Sequence, residues 1–253
     1  MIPKLEVKRV SSSYHTLAGE TLALSDISFS VQPGEFLAIV GPSGCGKSTL
    51  LSLLCGLSKP ESGEILLDGV PLGENASIGC MFQQDCLFPW RTIYANIALG
   101  LQIKKRLDAN SRERIYSLME SYGLKGFEHA KPSELSGGMR QRAALIRTLV
   151  LDPDLLLLDE PFSALDYQTR LGVCDDISSI IRKENKTAIL VTHDLSEAIA
   201  TADRILILTP RPGRVKAIVP IVFEDGDTPL ARRNSRVFSG YFNQVWKELK
   251  VNE

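Results

Sequence analysis

Leu5 to Val10 and Leu22 to Val31 are β-like stretches, and in the second hydrophobic and polar positions alternate in part through Leu22, Leu24, Ile27, Phe29 and Val31. A period of two marks a strand that lies half-buried on a core, so a small antiparallel sheet is predicted at the start of the chain. After the turn Gln32-Pro33-Gly34 the pattern changes: Phe36 to Val40 is apolar without interruption, as in a parallel strand covered on both faces. A glycine-rich loop then leads into a helix from about Lys47.

Between 84 and 150 the period lengthens to that of a helix. Ile115, Leu118, Met119 and Tyr122 fall on one face, Asn110 and Glu113 have capping-box spacing, and Gly123 is placed to end the segment. Three more apolar runs, Leu155 to Leu158, Thr187 to Thr192 and Arg204 to Leu208, alternate with helical patterns, which is the rhythm of a parallel sheet. Asp194 with Glu197 has the spacing of a capping box for the helix Leu195 to Ala202. From Pro220 onwards the pattern is ambiguous, although Phe238, Phe242, Val245, Trp246 and Leu249 would share a helical face. The expected organisation is a nucleotide-binding core from 1–83 and 151–219 that carries the antiparallel subdomain, a helical insert at 84–150, and a helical tail at 220–253.

Composition narrows the function. A hydrophobic fraction of 44% over 253 residues is enough for a sizeable core. The 29 basic and 30 acidic residues nearly cancel, so no global field attracts a nucleic-acid backbone, and nucleic acid is not an expected partner. No uncharged apolar run reaches the roughly 18 residues of a membrane-spanning helix, and the opening MIPKLEVKRV lacks the apolar stretch of a secretion signal. The expected location is the cytoplasmic face of a membrane, reached through a partner. The five cysteines are scattered without CxxC spacing, which favours neither a disulfide framework nor a zinc site.

The strongest chemical signal is GPSGCGKST at 41–49, a complete phosphate-loop pattern between a strand and a helix. Gly41, Gly44 and Gly46 allow successive backbone N–H groups of Gly41, Pro42, Ser43, Gly44, Cys45 and Gly46 (proline excepted) to converge on a phosphate at a helix N-terminus. Lys47 would bridge the β- and γ-phosphates of ATP, Ser48 would place its hydroxyl on Mg²⁺, and Thr49 would reach the α-phosphate side. Cys45, beside Lys47, is either a reactive thiolate or an inert loop side chain. Asp159 and Glu160 follow the buried run Leu155 to Leu158, at the strand ends where parallel sheets bind ligands. Asp159 would hold Mg²⁺ through water and Glu160 would orient or deprotonate the attacking water. His193 ends another strand at the same edge and can face the γ-phosphate.

Leu135-Ser136-Gly137-Gly138-Met139 lies between that loop and the Asp159-Glu160 pair. With His193 after them, this order resembles the ABC ATPases over roughly Leu5 to Ile218. The resemblance implies an α/β fold: a P-loop NTPase core with a mostly parallel sheet, an N-terminal antiparallel β subdomain and an inserted helical subdomain. It also implies that Tyr14 stacks on adenine, the alternative being a core tyrosine, and that Gln83 contacts Mg²⁺ and the attacking water. Ser136, Gly137 and Gly138 would bind the γ-phosphate held by a second ATP-binding subunit, with Ser163 to Asp166 crossing between the two. Met139 departs from the family's usual glutamine, leaving backbone donors for that contact. Asp85 to Trp90 would meet an integral membrane permease, and LSGGMRQR with FQQDCLFPWRT looks most like importers of nitrate, sulfonate and taurine, which work with a substrate-binding protein. An exporter or lipoprotein-release ATPase, or a soluble ABC ATPase, is the alternative.

Overall fold

The computed structural model describes residues 2–16, 19–73, 76–224 and 228–250. Its strands are β1 (Leu5–Thr16), β2 (Gly19–Val31), β3 (Phe36–Val40), β4 (Ser62–Leu67), β5 (Val70–Pro71), β6 (Ile78–Met81), β7 (Leu155–Asp159), β8 (Thr187–Val191), β9 (Arg204–Leu208) and β10 (Val215–Pro220). Its helices are α1 (Lys47–Leu54), α2 (Ile93–Ile97), α3 (Leu99–Ile103), α4 (Ala109–Ser121), α5 (Gly137–Leu149), α6 (Tyr167–Lys183), α7 (Leu195–Thr201), α8 (Pro229–Asn234) and α9 (Phe238–Lys250).

The first sheet runs β2-β1-β4-β5 and is antiparallel throughout, so the hairpin expected from alternation gains two further strands. The second runs β10-β9-β3-β8-β7-β6, parallel from β9 to β6 with β10 antiparallel at its edge. β3 and β8 are buried at every position because both faces of this sheet are covered. Leu37, Ile39, Leu157 and Ile189 join the core shared with α1 and the first sheet, whereas Ala38, Val40, Leu158 and Leu190 join the core shared with α2, α4, α5 and α6. An unbroken apolar run is what burial on two faces requires.

Local signals differ from the structure at three places. The N-cap of α4 is Asp108, which exchanges hydrogen bonds with Ser111; Asn110 lies inside the helix, so the Asn110–Glu113 pair is not its capping box. Asp194 does cap α7 by accepting from Ser196 N and Glu197 N, but Glu197 does not return the bond. Its buried carboxylate accepts from Thr192 Oγ1 at 2.7 Å instead. The segment from 84 to 92 contains no helix and forms a loop tied to α5. In the C-terminal part, α9 packs against the main core through buried Val245 and half-buried Phe238, Tyr241 and Phe242.

Strand order decides the site. β8 lies between β3 and β7, so the segments that follow these three strands emerge side by side at one edge.

Candidate active site

The loop after β3 turns on Gly44 and Gly46, with φ of +74° and +102°, conformations that glycine takes without strain. Gly46 also lies against β2: a Cβ there would stand 2.6 Å from Leu24 Cδ2. The loop N–H groups lead directly into α1, whose N-terminus favours an anion. Lys47 Nζ donates to Gly41 O at 2.8 Å and Pro42 O at 3.0 Å, so the ammonium is parked on the loop's own carbonyls.

A cleft of about 350 Å³ opens over this loop, lined by Ser43, Gly44, Gly46, Lys47, Ser48 and Thr49, by Tyr14 and Ala23, by Glu160, and by Arg211. Tyr14 is 51% exposed and its hydroxyl pairs with Thr49 Oγ1, so it is a wall of the cleft with a free ring face rather than a core tyrosine.

Glu160 follows β7 with φ of +44°, a left-handed conformation that costs a residue with a Cβ about 1–3 kcal/mol unless its surroundings hold it. They do so here. Its N–H donates to Val191 O, and its carbonyl accepts from Ser163 N and from Ser163 Oγ at 3.0 Å. Its Oε1 lies 3.0 Å from Nδ1 of His193, whose ring is 62% exposed. The adjacent Asp159 has its carboxyl pushed up by burial and then by the Glu160 charge, against the opposing pull of Lys47. The Asp159 carboxyl, buried and crowded by Glu160, is a donor that a divalent cation would relieve. Asp159, at the end of β7, and Ser48, in the first turn of α1 after the β3 loop, fit such an ion.

Two expected residues stand apart. Gln83 is exposed just past β6, at the same sheet edge but outside the cleft lining. Ser136, Gly137 and Gly138 also lie outside it. Ser136 caps α5, its Oγ accepting from Met139 N, and the glycines permit tight packing: a Cβ on Gly137 would sit 2.9 Å from Leu165 Cδ2 and one on Gly138 2.7 Å from Val173 Cγ2.

The thiolate reading of Cys45 is overturned. Its side chain is 1% exposed within the core beneath the loop, and burial pushes the thiol up, outweighing the pull of Lys47. Cys45 is a packing residue whose backbone belongs to the loop.

The groups that hold the segment from 85 to 92 in place carry no sequence motif. Fully buried Asn96 accepts from Phe88 N and donates to Phe88 O, Arg91 O and Thr92 O, while Arg147 donates to Asp85 O and Cys86 O. Together they brace the segment that leaves Trp90 69% exposed. Arg211, which lines the cleft, belongs to no motif either. Its signal would have been its place one turn beyond β9, next to β3.

Residues 24–163 match the ABC transporter family. The chain is 44% identical over 251 residues to an uncharacterized ABC transporter ATP-binding protein, YtlC, of Bacillus subtilis, covering 98% of this chain and 96% of that one. It is 43% identical over 236 residues to the aliphatic sulfonates import ATP-binding protein SsuB of Bacillus licheniformis, covering 92% and 89%. The fold is similar to the dimeric post-hydrolysis structure of the ATP-binding cassette MJ0796 bound to ADP and Pi, with a TM-score of 0.73 and 31% identity over 87% of this chain and 99% of that chain.

Proposed function

This chain belongs to the ABC transporter family of ATP-binding proteins, and on that premise we propose that two copies enclose two ATP molecules and drive a separate membrane permease that imports a small sulfonate or related anion. The chain is an ATPase of that family. The observation that carries the mechanism is the Glu160–His193 contact of 3.0 Å beside the loop of Lys47.

Lys47 exchanges the carbonyls of Gly41 and Pro42 for phosphate oxygens, so the loop is shaped around a charge that the nucleotide will meet. Tyr14 offers its open face to the base. Glu160 accepts a hydrogen bond from the attacking water, and its strained backbone aims the carboxylate while His193 fixes it from the side. His193 Nε2 remains available to the γ-phosphate. Ser48 and Asp159, with Gln83 approaching from β6, would hold Mg²⁺, which supplies charge neutralisation at the phosphate oxygens. Ser136, Gly137 and Gly138 cannot serve the cleft of their own chain, since they do not line it; they fit the nucleotide held by a partner copy.

Among the described residues no helix is long and apolar enough to cross a membrane, so transport requires a permease. The braced segment ending in exposed Trp90 is the surface that would receive it, as an aromatic anchor for a pocket. The sulfonate reading rests on the 43% identity with the Bacillus licheniformis import protein. Deleting the gene is expected to abolish growth on an alkanesulfonate as sole sulfur source, with rescue by the wild-type chain and not by Glu160→Gln. Undiminished growth of the deletion strain would remove sulfonate as the cargo. Rescue by Glu160→Gln, together with normal phosphate release from that variant, would remove Glu160 as the catalytic carboxylate.

A further inference from the structure

We infer that Arg211 is a nucleotide-binding residue of this cleft, its guanidinium serving as a second cation for the polyphosphate chain that Lys47 also holds. The inference rests on the proposed reading that the cleft holds ATP. Arg211 lies on the turn between β9 and β10 and lines the cleft opposite the Glu160 end of the sheet edge. It is exposed, and among the described residues it has neither a hydrogen bond nor an ion pair.

The turn that carries it, by contrast, is tied down through its other residues. Gly213 N donates to Ala23 O at 2.8 Å and Ser25 N donates to Gly213 O at 2.9 Å, which ties the turn to β2. Thr209 Oγ1 donates to Pro212 O and accepts from Arg214 N, closing the turn on itself. A Cβ on Gly213 would stand 2.1 Å from Cys45 O, so the turn is in contact with the phosphate loop. A rigid backbone holding an unpaired guanidinium over the cleft is the arrangement expected of a ligand contact.

Charge supports the same assignment. Among the residues lining the cleft, Lys47 and Arg211 are cationic and Glu160 is anionic. Without Arg211 one cation faces one anion, which gives no net attraction for a polyanion. With it the cleft is positive, and a planar guanidinium can engage two phosphate oxygens at once. A structural role for the side chain has no support, because it holds nothing in place.

Equilibrium dialysis with ATP, AMP and adenosine on the wild type, Arg211→Gln, Arg211→Lys and Lys47→Ala tests the proposal. Arg211→Gln is expected to bind ATP about tenfold more weakly, the effect of losing one charge-assisted hydrogen bond at an exposed site. Adenosine binding stays unchanged, Arg211→Lys recovers part of the loss, and the difference shrinks as salt is added. Melting temperature stays the same, since the removed group touches nothing described. Equal affinity of Arg211→Gln and wild type for ATP overturns the proposal, as does an equal loss for adenosine, which would point to the base or to a collapsed turn. Undiminished ATP binding by Lys47→Ala would instead overturn the reading of the cleft itself.

Discussion

Cys45 shows how a single residue can look reactive in sequence and be inert in the fold. A neighbouring lysine and a helix N-terminus both favour a thiolate, but each acts over a short distance and competes with desolvation. Here the chain folds the side chain inward beneath the loop, and burial prevails. Brief treatment of the native protein with iodoacetamide should therefore modify exposed Cys86 and spare Cys45 until denaturant is added. Mass spectrometry showing a modified Cys45 peptide in the native protein would contradict that placement. Lys47, Asp159, Glu160 and His193 were legible because their spacing to glycines and strand ends is local. Asn96 and Arg147 were not, because nothing near a buried amide in sequence reveals which distant carbonyls it will meet. The partnership of Ser163 with Glu160 was hidden similarly: a hydroxyl three residues on acts only through a turn whose shape the sheet imposes.

Among elements, those buried on two faces or strictly periodic were the readable ones. β3, β7 and β8 declare themselves as apolar runs, while β4, half exposed, and β5, two residues long, carry little signal of their own and form by pairing with β1 and with each other. The start of α4 is a finer case. Two pairs at capping-box spacing start within one turn of each other, and the structure selects the earlier, Asp108 with Ser111, over Asn110 with Glu113. Asp108→Ala should then lower the melting temperature while Asn110→Ala leaves it nearly unchanged. Because the Asp108 carboxylate accepts from Ser111 N, its pKa is held below the ordinary aspartate value. Its contribution is fully present above that ordinary value and is lost as pH falls through the lowered one. The difference between Asp108→Ala and wild type should close in that acidic window; a difference that persists there would mean that the cap does not act through its charge.

At the scale of the whole molecule, the cleft and the α5 N-terminus stand apart, as the proposed pairing of two copies requires. α5 presents Gly137 and Gly138 at the positive end of a thirteen-residue helix, packed so closely on Leu165 and Val173 that the end is rigid, yet the loop of the same chain opens elsewhere. If a nucleotide bridges the loop of one copy and the α5 end of another, it binds the paired state more tightly than a single copy. Moving such an equilibrium from one in a hundred to ninety-nine takes about 5.5 kcal/mol, which two bridging nucleotides reach at about 3 kcal/mol each. In that arrangement, loss of the γ-phosphate would remove the bridge and let the pair open. The arrangement can be tested by mixing two inactive variants. Lys47→Ala damages the loop and leaves α5 intact; Ser136→Arg blocks the α5 end and leaves the loop intact. In a mixed pair, the good loop of one chain faces the good α5 of the other, so one complete site is regenerated. Hydrolysis should appear on mixing although each variant alone is inactive, and its rate should rise with the fraction of mixed pairs. A mixture that stays as inactive as its components would place both halves of the chemistry within one chain.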